Sequence, residues 1–280
     1  MGIFRILHFS DVHAGLVDFH AGYLLDKRFF GRLNQFCRRQ RSLSLDNIGR
    51  LAELHRARHI DFTICTGDLT SIGSPGEFDH AIGLLGPILE AAGDAFLFVP
   101  GNHDAYVRQN ADALRQAFRR LNPACPAALD GLPAVVDCGV AEIVAANAAR
   151  PCRIWQSTGQ MPPDAWQRLD YILSQPRRPA KARLLACHFP LIGHDAKPLS
   201  WRTKLIDGDR HLMEAIASRR LDAMLTGHVH YPFIHPLGAA GCLAVGAGSL
   251  TIRNSCAIVS IDTVSGKTTA EIINFQPESQ

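Results

Sequence analysis

The 280-residue sequence lacks the features that mark membrane, secreted or disordered proteins. No apolar run approaches the roughly 18 residues that a membrane-spanning helix needs. The N-terminus has no basic segment followed by an apolar stretch and a cleavage site. The eight cysteines form no Cys-x-x-Cys pair, so a disulfide scaffold is not expected. Hydrophobic residues make up 47% and charged residues 20% of the chain, which is typical of a globular protein, and we expect a cytoplasmic one.

The charge balance also lacks an excess of either sign, because the formal net charge is only +3. A duplex-binding protein should show a broad basic surface, so we expect no nucleic-acid partner. The basic residues are unevenly placed, since residues 27–41 hold six of them and no acidic residue. Aromatic residues recur there at helical spacing, so residues 19–45 predict a basic amphipathic insertion. It either packs on the fold as a cap or contacts the inner face of the membrane through residues 27–41.

Strand-like and helix-like segments alternate along most of the chain, which is typical of an α/β fold. Strands are predicted near residues 4–9, 62–66 and 95–99, and a capping box that begins at Ser74 predicts a helix to about residue 92. A further helix is predicted over 105–121. The C-terminal fifth predicts short strands alone. No linker or repeat divides the chain, so residues 1–280 are predicted to form one domain, a two-sheet sandwich with helices outside.

Five short polar motifs follow predicted strands. They are Asp11-Val12-His13, Gly67-Asp68, Gly101-Asn102-His103-Asp104, His188 and Gly227-His228-Val229-His230. Residues two apart in an extended segment point to the same side, so the Asp-x-His and His-x-His pairs can each converge on one point. Their oxygen and nitrogen donors suit Mn, Fe or Zn, while the absence of cysteine argues against a structural zinc site. We therefore expect two divalent metal ions.

The order of these motifs resembles that of the calcineurin-like metallophosphoesterase superfamily, and the matching blocks span residues 11 to 230. The resemblance implies a four-layer α/β/β/α sandwich with a dinuclear metal centre. It assigns Asp11, His13 and His230 to one metal, and Asn102, His188 and His228 to the other. Asp68 would bridge the two metals. His103 would be the catalytic histidine beside them, oriented by Asp104.

A dinuclear metal centre of this kind favours hydrolysis of a phosphoester by a metal-bound hydroxide. Two cations about 3.5 to 4 Å apart lower the pKa of a bridging water, so hydroxide can attack phosphorus in line at neutral pH. His103, as imidazolium, is expected to stabilise the developing charge or to protonate the leaving oxygen. Glycines 67, 101 and 227 are expected to let the backbone turn sharply beside the metals. We therefore expect a metal-dependent phosphodiesterase or pyrophosphatase that forms no covalent enzyme intermediate.

The substrate stays open between two classes. The Gly67-Asp68-Leu69-Thr70 block, with Gly-Asn-His-Asp, is similar to the class III cyclic-nucleotide phosphodiesterases, whereas protein phosphatases carry Gly-Asn-His-Glu. The first expected substrate is therefore a small, cyclic-nucleotide-like phosphodiester. The alternative is a UDP-diacylglucosamine pyrophosphatase of lipid A precursor synthesis, because the insertion is similar to a basic insertion in such enzymes, although these usually have arginine in place of His103. A more remote alternative is a metal-free scaffold without activity, but no metal ligand is missing.

Overall fold

The computed structural model describes residues 2–15, 44–153, 155–176 and 181–276. The strands are β1 Ile3–Phe9, β2 Phe62–Cys65, β3 Phe96–Phe98, β4 Ala134–Asp137, β5 Ala141–Ala145, β6 Ala182–Ala186, β7 Ala223–Thr226, β8 Pro232–Leu237, β9 Cys242–Ala247, β10 Ser255–Asp262 and β11 Thr268–Asn274. The helices are α1 Asp46–Ala57, α2 Pro75–Leu84, α3 Gly86–Ala92, α4 Ala111–Leu121, α5 Pro163–Ser174 and α6 Gly208–Ala217. Apart from residues 44 and 45, the predicted insertion at 19–45 lies outside the described residues. None of the described helices has the length and apolarity needed to cross a membrane.

The strands form two mixed sheets. The first has the order β11-β10-β1-β2-β3 and the second has the order β4-β5-β6-β7-β9-β8. In the first sheet β1, β2 and β3 are parallel, and in the second β5, β6, β7 and β9 are parallel. Phe9 pairs with Cys65, which pairs with Phe98, so the first three strands end level with one another. The polar motifs that follow parallel strands are therefore brought to the same edge, where open α/β sheets place their ligands.

The two sheets pack face to face with helices on both outer sides. Ile143 and Leu184 point into the core shared with the first sheet, whereas their neighbours Val144 and Leu185 point outward. The outward side chains pack with α5 and α6, and α1 to α4 contribute apolar residues to the core of the first sheet. This arrangement confirms the predicted four-layer α/β/β/α sandwich. The seven described cysteines are all free thiols, in agreement with the predicted absence of a disulfide scaffold.

Two predicted helices have different bounds in the structure. The capping box is present, since Ser74 accepts from the Glu77 amide, but the helix that it begins ends at Leu84. A separate helix starts at Gly86 because Pro87 has no amide hydrogen with which to continue the first one. The helix predicted from residue 105 begins at Ala111, after a short 3-10 turn.

A buried ion pair joins two neighbouring strands of the second sheet. Arg183 is 3% exposed and places its guanidinium 2.8 to 2.9 Å from Oε2 of Glu142, and it also donates to the Gln175 carbonyl. Glu142→Ala is expected to lower the free energy of unfolding by about 3 kcal/mol, because it leaves a buried cation without its carboxylate. Urea denaturation measures this loss. An unchanged midpoint of urea denaturation would show that the pair contributes nothing to stability. Asp137→Ala is the matched control, because Asp137 pairs with Lys181 but is more exposed than Glu142.

Candidate dinuclear metal centre

Four of the predicted metal ligands form one half of a polar cluster between the strand ends. One ligand atom from each of Asp11, His13, Asp68 and His230 lies within 4.8 Å of the others. Nε2 of His230 is 3.2 Å from Nε2 of His13 and 3.2 Å from Oδ1 of Asp11. Three of these side chains are buried and His230 is partly buried. The first half of the cluster thus has the donors that a divalent cation needs.

The other three predicted ligands form the second half of the cluster, and Asp68 belongs to both. Oδ2 of Asp68 is 3.4 Å from Nε2 of His188, and the rings of His188 and His228 lie 5.3 Å apart. Nδ1 of His228 is 2.9 Å from Oδ1 of Asn102. The fold therefore brings together all seven residues that the sequence predicted, although their role as metal ligands stays a prediction.

The backbone at these residues is strained. Asp11, His13, Asp68, His228 and His230 have φ between 50° and 71°, in the left-handed region that side chains other than glycine disfavour. Each such residue costs on the order of 1–3 kcal/mol, and clustered strain of this kind is characteristic of functional sites. The prediction that the Asp-x-His and His-x-His pairs lie in extended segments is thus wrong. The ligands converge because the chain turns at each of them.

The glycines beside the cluster serve different purposes. Gly67 has φ of 96° and supplies the sharp turn that was predicted for it. The backbone at Gly101 and Gly227 is not left-handed. At Gly227 a Cβ would overlap the side chains of Ser10 and Asp11, so glycine is needed there for close approach rather than for a turn. The chain nevertheless turns directly after both glycines, since the Val229 amide donates to the Gly227 carbonyl at 2.9 Å and the Ala105 amide to the Gly101 carbonyl at 3.2 Å.

Hydrogen bonds at the rings fix which nitrogen faces the cluster. Nδ1 of His188 donates to the Thr66 carbonyl at 2.6 Å, which leaves Nε2 facing Asp68 without a hydrogen bond in the described part of the chain. Nε2 of His228 donates to the Thr203 carbonyl at 3.0 Å, so its Nδ1 lone pair faces the Asn102 oxygen. Both atoms can then serve as ligands of one cation. The donor set therefore fits a pair of metal ions.

The electrostatics of the cluster favour positive charge between its members. Burial opposes the charged form of Asp68, but the imidazoles of His188 and His103 outweigh it and hold the pKa of Asp68 well below its usual range. Burial likewise disfavours the imidazolium of His188, yet Asp68 raises the pKa of His188 to about 9. Burial and the neighbouring His188 lower the pKa of His228 to about 3. At Asp11, too, burial opposes the charged form, but the His230 imidazole outweighs it and lowers the pKa of Asp11 to about 2. The carboxylates of Asp11 and Asp68 thus stay ionised, as metal ligands must be.

Comparison with known proteins identifies the family. Residues 4–232 match the family model described as calcineurin-like phosphoesterase. The chain belongs to this family. Calcineurin-like phosphoesterases are metal-dependent enzymes with a dinuclear site, which agrees with the cluster above. No curated protein matches the sequence of this calcineurin-like phosphoesterase.

Solved structures share the fold of this calcineurin-like phosphoesterase. A Staphylococcus aureus protein assigned as a 5'-nucleotidase, in complex with alpha-ketoglutarate, has a TM-score of 0.62 at 18% identity, covering 99% of this chain and 55% of its own. A dimetal phosphatase from Danio rerio has a TM-score of 0.59 at 13% identity, covering 91% and 92%. A purple acid phosphatase from yellow lupin has a TM-score of 0.61 at 12% identity, covering 98% and 54%. The chain spans about half the length of the first and third, and identities this low show the fold alone.

The two predicted catalytic residues have separate surroundings in this calcineurin-like phosphoesterase. Nδ1 of His103 contacts the Ser71 carbonyl at 2.7 Å, and the ring lies at the edge of His13. The Asp104 carboxylate instead accepts from the Thr70 amide and hydroxyl and from the Gly101 amide, each at 3.0 Å. Burial and the neighbouring Asp68 raise the pKa of Asp104 to about 7. The prediction that Asp104 orients His103 is therefore wrong, because its oxygens are used to join the two loops.

Asp104→Ala is consequently expected to destabilise the protein as well as to reduce activity. The variant leaves the buried amides of Thr70 and Gly101 without an acceptor, which costs about 3 kcal/mol of unfolding free energy. Thermal and urea denaturation, each in the presence and absence of Mn, measure the effect. A variant that kept full stability but lost activity would instead support the orienting role. Asp112→Ala, which removes an exposed carboxylate from α4, is the control.

Several groups that support the ligands were not predicted from the sequence. The carbonyls of Thr66 and Thr203 hold the rings of His188 and His228, and the Ser249 hydroxyl donates to the Asp11 carbonyl at 2.7 Å. Any residue type carries a backbone carbonyl, so no sequence signal could have indicated the first two. Ser249 lies 238 positions from Asp11 in the chain, and its loop contains none of the five motifs, so the sequence did not indicate this contact.

Proposed function

We propose that this calcineurin-like phosphoesterase hydrolyses a phosphorus–oxygen bond of a small phosphodiester or pyrophosphate, with two Mn, Fe or Zn ions as cofactors. The observation that carries the proposal is the convergence of seven oxygen and nitrogen donors at the strand ends, with the Asp68 carboxylate shared by both halves of the cluster. When bound, two such cations lower the pKa of a water between them and neutralise charge on the phosphate oxygens.

The chain's own residues orient the reacting groups. The contact between Nδ1 of His103 and the Ser71 carbonyl fixes the imidazole ring, and Tyr106 stacks on it at 5.6 Å. The ring centroid is 4.9 Å from that of His13, which places His103 directly beside the cluster. Nε2 lies at the ring edge away from Ser71, and we assign it the transfer of a proton to the leaving oxygen. The His103 amide also donates to Asp68 at 2.7 Å and so helps to position that carboxylate.

The two substrate classes have different support. A cyclic nucleotide is favoured by the Gly67-Asp68-Leu69-Thr70 block, in which the Thr70 hydroxyl and amide hold Asp104. A nucleotide-linked lipid is favoured by an apolar groove of about 510 Å³, which shares Pro198 and Leu199 with a cavity that has His228 in its wall. The basic insertion that also indicates a lipid substrate lies outside the described residues. The basic character of this insertion also supports a location in the cytoplasm, with contact to the membrane through residues 27–41. Flotation of the protein with anionic and with neutral liposomes tests this contact.

One competition assay tests both the activity and the substrate class. Mn-loaded protein is incubated with cyclic AMP and UDP-diacylglucosamine together in mild detergent, and AMP and UMP are quantified by mass spectrometry. Dominant AMP supports the cyclic-nucleotide class, and dominant UMP supports the nucleotide-lipid class. Protein that binds no metal and forms neither product would contradict the proposal and favour a scaffold without activity.

A further inference from the structure

A polar cavity lies directly beside the candidate metal centre. Its volume is about 400 Å³, and His228 forms part of its wall together with Ser157, His194, Lys197 and Thr203. The Asp195 carboxylate lies in the same wall, 3.7 Å from Nζ of Lys197, so the wall carries both charges. Hydroxyl, imidazole and paired charged groups suit the polar part of a phosphoester, since ligand sites carry a few polar groups that fix orientation. The cavity is therefore placed to hold the group attached to a phosphate at the metal centre.

An apolar groove lies on the far side of the same loop. Its volume is about 510 Å³, and its wall is formed mainly by Pro190, Leu191, Leu199, Leu205, Met213 and Pro236. Met213 is 44% exposed although it belongs to α6, and its thioether adapts easily to a flexible ligand. The two charged side chains in the groove wall, Lys204 and Asp209, have opposite signs. The groove thus offers apolar contact without a net charge.

The groove and the polar cavity adjoin each other. Pro198 and Leu199 belong to the walls of both. These residues lie on a short loop that is closed by a bridge between Ile192 and Pro198 and by a 2.7 Å hydrogen bond from the Gly193 amide to the Lys197 carbonyl. The cavity has His228 in its wall, so it links the metal centre on one side to this loop, and the groove lies on the other side of the loop.

We propose that the apolar groove binds the alkyl chain of an amphiphilic phosphoester whose phosphate lies at the metal centre and whose polar part fills the cavity between them. The inference rests on the proposed function and narrows its substrate class. Each methylene moved from water into an apolar groove favours binding by roughly three- to fourfold. A substrate that reaches the groove should therefore be selected by its chain length, whereas a small cyclic phosphodiester would gain nothing from it.

The test is a series of p-nitrophenyl phosphate diesters of 1-O-alkylglycerols with alkyl chains from methyl to octyl, in which the glycerol supplies the polar part. All are used below their critical micelle concentrations with Mn-loaded protein. We expect kcat/KM to rise by about threefold for each methylene beyond the first few, mainly through KM. Met213→Glu is expected to lower the octyl-to-methyl ratio of kcat/KM by at least about tenfold, because the charge opposes entry of the chain. Met213→Leu should keep the ratio, and Tyr171→Glu, on the exposed face of α5, is the control that should leave all rates unchanged.

Binding measurements separate this inference from the proposed function. 1-O-Octylglycerol phosphate is expected to bind at least about tenfold more tightly than 1-O-methylglycerol phosphate in calorimetry, with the difference reduced in the Met213→Glu variant. If neither these diesters nor the cyclic AMP and UDP-diacylglucosamine of the competition assay are hydrolysed, the proposed function is wrong, whatever the chain length. If all diesters are hydrolysed with equal kcat/KM and both phosphates bind equally, the proposed function stands and the groove does not bind alkyl chains.

Discussion

Asp68→Asn is expected to lower kcat for phosphodiester hydrolysis by about 1,000-fold or more while the protein stays folded. Replacing groups that only support metal ligands costs about 10- to 100-fold, and Asp68 lies between both halves of the cluster, so its loss should cost more. Its Oδ1 accepts the His103 amide at 2.7 Å, and its Oδ2 faces Nε2 of His188 at 3.4 Å. Asparagine keeps an acceptor for the amide but removes the negative charge between the two sites.

Three measurements make this result specific. Steady-state kinetics with Mn gives kcat, mass spectrometry of the metal gives the number of ions per chain, and circular dichroism reports the fold. We expect fewer than two ions per chain in the variant. Asp79→Asn removes an exposed carboxylate paired with Arg120 and is the matched control. A variant with nearly normal kcat and two bound ions would contradict the assignment of Asp68 as the shared ligand.

His103→Gln is expected to reduce kcat by about 100- to 10,000-fold for a substrate with a poor, alkoxide leaving group. With p-nitrophenolate as the leaving group, which needs no proton, we expect a loss of no more than about tenfold. The reason is the position of the imidazole beside the cluster, with Nδ1 fixed on the Ser71 carbonyl. We assign the proton transfer to Nε2. Glutamine keeps a polar side chain of similar reach but cannot deliver a proton.

The dependence on leaving group separates proton transfer from a structural role. A variant that lost the same factor with both leaving groups would show that His103 acts on the metal centre rather than on the leaving oxygen. Thermal denaturation should be nearly unchanged, since the His103 amide still donates to Asp68 whatever the side chain. His80→Gln, on α2, is the matched histidine control.

Backbone carbonyls hold two of the candidate metal ligands in place. His188 and His228 each bond a backbone carbonyl through the nitrogen that turns away from the cluster, at 2.6 and 3.0 Å. Such bonds fix the tautomer and direct the other nitrogen at the metal. The loops that supply these carbonyls follow β2 and precede α6, so both sheets and their connections hold the ligands in place.

Much of the fold could be predicted from local patterns in the sequence. The capping box at Ser74 begins a helix as predicted, and the strands before the first three motifs are present. Periodicity, capping residues and turn residues act over a few positions, so a single sequence carries them. The residues of the candidate site were predicted for the same reason, because each motif is short and follows a strand. The helix end at Leu84 and the helix start at Ala111 were not predicted. These bounds depend on which of two competing local preferences prevails, such as helix propensity against the missing amide hydrogen of Pro87.

The sequence alone thus determined which residues converge, while the tertiary structure decided how they are held. The left-handed backbone at Asp11 and His228 and the space made by Gly227 arise where distant loops meet. Asp104 bonds Thr70, 34 positions away, because its own loop packs against the loop after β2. The apolar groove likewise forms from the loop after β6, α6 and β8, which lie apart in the chain. Contacts of this kind depend on long-range packing, and long-range packing has no local signature in the sequence.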